Sequence, residues 1–155
     1  MEKILVSACL LGKKCKYNGE SNYNQDVVDF FEKMKEQAEP IQVCPEVMGG
    51  LTTPRIPAEI RGNSVITKDG RDVTMEYGKG AKKTAELAKI NQCRYAVLKE
   101  RSPSCGNQQI YDGTFTGTLI SADGKTAEKL KLQKIKIYGE TQVQALEAIL
   151  MQAFN

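Results

Sequence analysis

Short β-branched apolar runs alternate along this chain with longer stretches whose apolar positions recur at helical spacing. The run Lys3–Ser7 (KILVS) predicts a first buried strand over residues 3–7 that leads into Cys9. A glycine- and asparagine-rich loop, GKKCKYNGESNYN, follows. Residues 26–38 then place Val27, Val28, Phe30, Phe31 and Met34 on one face and charges on the other. Asn24 or Asp26 stands where the helix needs a cap. A short second strand, Ile41–Val43, is stopped by Pro45 and a Gly49-Gly50 turn. The segment TTPRIPAEI carries two prolines and predicts an extended loop, and NSVITKDGRDVT alternates around Lys-Asp-Gly-Arg as a small β-hairpin. Asp72 or Thr74 is placed to start a long helix through Gln92, despite Gly78 and Gly80. The third strand lies in CRYAVLK and a loop spans IYDGTFTGTLISADG. A short helix (KTAEKLKLQ), a fourth strand (KIKIYG) and an amphipathic helix over residues 140–154, with Thr141 as its cap, complete the chain.

Strand and helix alternate four times, which predicts an α/β fold: a single-domain, Rossmann-like three-layer sandwich over residues 1–155. Its four-stranded sheet is mostly parallel, with the small β-hairpin as an insertion. At 155 residues the chain can bury roughly two thirds of its unfolded surface. The net charge of +3 is small, and the basic residues are spread without an aromatic-lined stripe, which speaks against a nucleic-acid partner. No apolar run approaches the ~20 residues of a membrane-spanning helix, and the start MEKILVSACLLG lacks a signal-peptide pattern. The expectation is a cytoplasmic protein, monomeric or weakly homodimeric.

Two counts narrow the chemistry. There is no histidine, so imidazole catalysis and His-containing zinc sites are excluded. There are five cysteines, an odd number that argues against a disulfide framework. Cys9, Cys44 and Cys105 fall just past predicted strands 1, 2 and 3, at the sheet edge where ligands of parallel sheets bind. They are therefore expected to converge on one pocket. Cys93 begins strand 3, at the opposite end of the sheet, and reads as a core residue. Cys15, in the basic loop KKCKYNG, is a peripheral thiol or a fourth ligand. No Cys-x-x-Cys pair is present, so dispersed thiolates suit an iron–sulfur cluster. A zinc site completed by a non-cysteine ligand stays open on spacing alone.

The blocks SACLLGKKCKYNG, VCPEVMGGLTTPRIPAEI, GRDVT, VLKERSPSCG and IYDGTFTG together resemble the thiouracil desulfidase family, across nearly the whole chain apart from the last helix. The resemblance implies a 4Fe–4S cluster on Cys9, Cys44 and Cys105, with Cys15 outside it. It further implies an open iron that takes the sulfur of a thiolated small molecule, and non-redox conversion of thiocarbonyl to carbonyl. In such a reaction a base must activate water, and with no histidine it comes from Glu, Asp, Lys, Tyr or Cys, a carboxylate being the expected one. Glu46, two residues past Cys44, is the first candidate, and Asp112 in YDGTF the second. Ser102 and Ser104 flank Pro103 beside Cys105 and can hydrogen-bond substrate or sulfide. Arg55 and Arg101 either orient an anionic substrate or pair with Glu59 and Glu100. Tyr17 and Asn18 are placed to line the pocket mouth. The competing readings are a binding or sensing module with a structural metal or cluster, and a metal-free thiol-based sulfur carrier.

Overall fold

A computed structural model describes residues 1–153. Four parallel strands, β1 (Glu2–Ser7), β2 (Ala38–Val43), β5 (Tyr95–Leu98) and β8 (Lys136–Gly139), form one sheet in the order β2-β1-β5-β8. Alternating side chains separate its two faces. Ile4, Val6 and Val97 pack with Phe30 on helix α1 (Gln25–Lys33), with Met34 just past its end, and with Leu146 and Leu150 on helix α5 (Val143–Ala153). Leu5, Ala96 and Leu98 pack with Ala85, Ala88 and Leu130 on helices α3 (Thr74–Ile90) and α4 (Lys125–Leu132). The three-layer α/β sandwich expected from the alternation is therefore the fold.

Two small antiparallel ladders are added to it. Strands β3 (Ala58–Arg61) and β4 (Ser64–Thr67) form a hairpin, and β6 (Ile110–Tyr111) pairs with β7 (Leu119–Ile120). Val65, Tyr77 and Ile110 knit them together in a third apolar cluster at the side of the sandwich.

Several boundaries differ from the expected ones, each for a local reason. Strand β2 begins at Ala38 and includes Pro40, which an edge strand tolerates because only one flank is paired. Helix α1 ends at Lys33, since Gln37 and Ala38 both return their N–H groups to the Met34 carbonyl and turn the chain into β2. Its cap is Asn24, whose side chain accepts from the Val27 N–H at 3.1 Å. The segment after Pro57 is not a loop: it is the first strand of the hairpin, which turns at Gly62-Asn63. The Lys-Asp-Gly-Arg turn only adds a bridge from Ile66 to Asp72. The loop expected over residues 110–124 contains β6 and β7. Thr141 does not cap the last helix. Its N–H and hydroxyl both go to Glu100, and a 3-10 turn (Glu140–Gln142) precedes α5. Phe154, predicted to belong to that helix, lies outside the described residues.

Candidate active site

The direction of chain progression reverses at β1. Helix α1 carries the chain outward to β2 on one face, and α3 brings it back to β5 on the other. Open parallel sheets leave a crevice outside the carboxyl ends at such a reversal. Here it is a cavity of about 470 Å³, within the usual range for small-molecule sites.

Four thiols reach this cavity. Cys9 sits in the 3-10 turn (Ala8–Leu11) that continues β1, and Cys44 follows β2 directly, as the N-cap of the short helix α2 (Pro45–Met48). Cys105 arrives from the Ser-Pro-Ser-Cys turn after β5. That turn is fixed by the N-terminus of α4, whose Lys125 and Thr126 N–H groups bind the Pro103 and Ser104 carbonyls at 2.9 and 2.8 Å. The expected convergence of three thiols far apart in sequence is thus present. Cys93 lies away from it, packed among Leu5, Ala85 and Ala88 beneath the start of β5.

Cys15 is not peripheral. It is 5% exposed and lines the cavity with its sulfur between those of Cys9 and Cys44. The Cys15 pKa is driven up by these neighbouring sulfurs, Cys44 first and then Cys9, with burial adding to it. The partners shift the other way. Cys44 falls to about 6, through Cys15 first, then the Val47 N–H and the Arg55 guanidinium, against the opposing effect of burial. Cys9 is lowered by Cys15 first, with Asn22 and Lys99 assisting. Cys105 is pushed up to about 12 by burial, which the Ser7 hydroxyl only partly offsets.

Glu46, at the start of α2, is the cavity's central carboxylate. Its Oε1 accepts from Arg55 Nε at 3.0 Å and its Oε2 from Ser104 Oγ at 3.1 Å. Ser102 Oγ lies 3.0 Å from Ser104 Oγ and accepts from the Ser104 and Cys105 N–H groups. Each hydroxyl has one proton, so the consistent chain runs from Ser102 to Ser104 to Glu46. Ser104 Oγ, 3.6 Å from Cys105 Sγ, is then not free to donate to that sulfur as well. Tyr77 closes the far side of Glu46. Its phenol is raised by burial first and by the carboxylate second.

The arginines depart from expectation. Arg55 pairs with Glu46 rather than Glu59, and its other nitrogens bind the carbonyls of Cys15 at 2.7 Å and Thr52 at 3.2 Å. With its side chain 8% exposed, it clamps the Cys15 loop to α2 and has little capacity left for substrate. Arg101 lines the cavity but makes no ion pair with Glu100, whose carboxylate is taken by Thr141. Glu59 accepts instead from the Gly113 and Phe115 N–H groups.

Tyr17 lines the cavity as expected. Asn18 does not: its side chain binds Glu20 in the exposed loop. Asp112 also lies outside, where its carboxylate bonds the Thr114 N–H and hydroxyl in a turn. Lys99 was not foreseen, although it directly follows β5. Its ammonium is held 2.7 Å from Glu140 at the cavity wall. Phe115 was missed as well, since only its fold-back against β3 brings it there.

The donor set fits an iron–sulfur cluster. Three thiols come from three separate strand ends, two of them, Cys9 and Cys44, have pKa values lowered toward the thiolate form a cluster needs, and they line a cavity rather than crowd around one point. Among the described residues, no three Cys, Asp or Glu side chains gather tightly enough for a single metal ion, so the zinc alternative has no ready-made site.

Comparison with known proteins gives the same picture. The family profile described as 2-thiouracil desulfurase matches residues 4–142. An uncharacterized protein of Bacillus subtilis (strain 168), YbbK, is 39% identical over 150 residues, covering 90% of this chain and 97% of that protein. The solved structure of the 4Fe–4S-dependent thiouracil desulfidase TudS (DUF523Vcz) superimposes with a TM-score of 0.88 at 41% identity, covering 98% of this chain and 99% of that one. With most of its length matched, and with the cysteine-lined crevice in place, the chain belongs to the 2-thiouracil desulfurase family.

Proposed function

We propose that the protein removes sulfur from a small thiolated heterocycle of the thiouracil kind, exchanging C=S for C=O and releasing hydrosulfide without net redox change. The observation that carries this reading is that Cys9, Cys44 and Cys105 share one cavity with the Ser102–Ser104–Glu46 chain, in a member of this family. Those three cysteines would hold a 4Fe–4S cluster, with Cys15 supporting Cys9 and Cys44 from between them. When bound, a cluster with three protein thiolates supplies one iron open to a soft sulfur ligand, a Lewis acid for the thiocarbonyl.

The protein's own groups do the proton work. Glu46 keeps lone pairs beyond those that Arg55 and Ser104 use, and takes a proton from water. The water oxygen bonds to the thiocarbonyl carbon and the C=S π pair moves to sulfur. Collapse of the tetrahedral centre forms C=O and breaks C–S: the proton on Glu46 goes to the sulfur, which leaves as hydrosulfide, and the freed Glu46 carboxylate takes the remaining hydroxyl proton and returns it to solvent. Arg55 keeps Glu46 oriented, and Ser104 with Ser102 can pass the proton along. Asp112 has no part, since it lies outside the cavity. Free thiols throughout the chain suit a reducing, cytoplasmic setting.

The test is hydrosulfide release from 2-thiouracil by anaerobically prepared, cluster-loaded protein. Glu46→Gln should keep its iron and lose about 10²–10⁴-fold in turnover, the usual worth of a general base. Full turnover by that variant would remove Glu46 from the mechanism, and no release by the wild-type protein would remove the activity.

A further inference from the structure

We infer that Phe115, held in place by Glu59, is the aromatic seat that selects a flat heterocyclic substrate. The inference rests on the desulfuration reading only for the identity of the ring.

Phe115 lines the cavity but is supplied by none of the strand ends that carry the thiols. It sits in the turn between β6 and β7, in the left-handed backbone region at φ 58°. A bulky side chain is rarely found there, so the surrounding structure must impose the conformation. Three contacts do so. Glu59 Oε1, on β3, accepts from the Gly113 N–H at 3.0 Å and from the Phe115 N–H at 3.1 Å. Arg61, two residues along the same strand, donates to the Gly113 carbonyl at 2.8 Å. Gly113, itself at φ 93°, lies so close to β3 that a Cβ would stand 2.8 Å from the Ile60 carbonyl oxygen.

The hairpin therefore holds the turn by its backbone, and the ring is what the turn delivers to the cavity. Tyr17 and Tyr111 line the same cavity and add aromatic surface. Polar groups around the thiols can handle any thiocarbonyl, whereas an aromatic ring distinguishes planar π systems, which stack on it, from small acyclic ones, which do not. Phe115 is thus a specificity residue, and Glu59 a positioning residue that acts through it.

The experiment compares 2-thiouracil with thioacetamide, a small acyclic thioamide, as substrates of the cluster-loaded protein. It also measures equilibrium binding of 2-thiouracil and uracil. Phe115→Asn is the informative variant, because asparagine tolerates the left-handed backbone and the turn should survive. It should raise KM for 2-thiouracil about tenfold and weaken binding of both rings alike, with kcat/KM for thioacetamide unchanged. Phe115→Tyr should stay within about twofold of wild type. Glu59→Ala should reproduce Phe115→Asn. Glu59→Gln should restore wild-type KM, since an amide oxygen still accepts from both N–H groups.

Equal losses on both substrates, or unchanged ring binding in Phe115→Asn, would overturn the inference. Ring binding lost in Phe115→Asn, in a wild-type protein that releases no hydrosulfide, would support the aromatic seat and overturn the desulfuration reading instead.

Discussion

Ser102 and Ser104 stand two residues apart and look interchangeable in sequence, but the fold gives them different work. Ser104 Oγ touches Glu46, whereas Ser102 Oγ receives two backbone N–H groups and holds the turn that presents Cys105. Ser104→Ala should therefore lower turnover about tenfold or more at unchanged iron content and melting temperature. Ser102→Ala leaves two N–H groups without their acceptor, at a cost of about 1–3 kcal/mol, and should lower the melting temperature by several degrees. Thermal unfolding beside a turnover assay separates the two. At this scale residue type was the legible part. A carboxylate next to Cys44 and serines next to Cys105 could be nominated from sequence. Partnership could not. Arg55 joins Glu46 across nine residues instead of the nearer Glu59, and Asp112 spends its oxygens on its own turn. Both outcomes depend on how β3 and the short helix α2 are folded against the cavity.

Gly49 and Gly80 show what holds Glu46 and Cys44 in place at the level of elements. A Cβ on Gly80 would stand 1.9 Å from the Pro45 carbonyl oxygen, and one on Gly49 would stand 2.0 Å from the Glu76 oxygen. Helices α2 and α3 therefore meet backbone to backbone, and the turn bearing Cys44-Pro45-Glu46 rests directly on α3. Gly78, on the same helix, faces open space. Gly80→Ala should force the helices apart and cost at least ~1–3 kcal/mol, with iron content falling because Cys44 moves. Gly78→Ala should instead gain about 0.5–1 kcal/mol from helix propensity, with the site intact. Calorimetry with iron analysis on the two variants would show the contrast; similar stability of both would contradict it. In the sequence both glycines look like defects of a helix. Their different meanings appear only once α2 is packed against one of them. The β3–β4 hairpin was misplaced for a related reason: Pro57 reads as loop, while the pairing of Ala58–Arg61 with Ser64–Thr67 is fixed by the third core cluster around Tyr77 and Ile110.

For the whole molecule, the order β2-β1-β5-β8 decides where chemistry can occur, because it brings the ends of β1, β2 and β5 to one crevice. This much was legible early. Parallel alternation fixes which strand ends share an edge, and three cysteines fall at those ends. Cys15 was not placed, because a loop of lysines, glycine and asparagine carries no periodic signal. It is Arg55, bound to the Cys15 carbonyl, that folds this loop inward. The most direct test of the account is the iron and acid-labile sulfide content of anaerobically purified protein, measured on the wild type and on single serine variants of the cysteines. The account predicts about four of each per wild-type chain, loss on Cys9→Ser, Cys44→Ser or Cys105→Ser, and retention on Cys93→Ser. Stoichiometric zinc with little iron in the wild type, or full cluster content in any of those three variants, would contradict it.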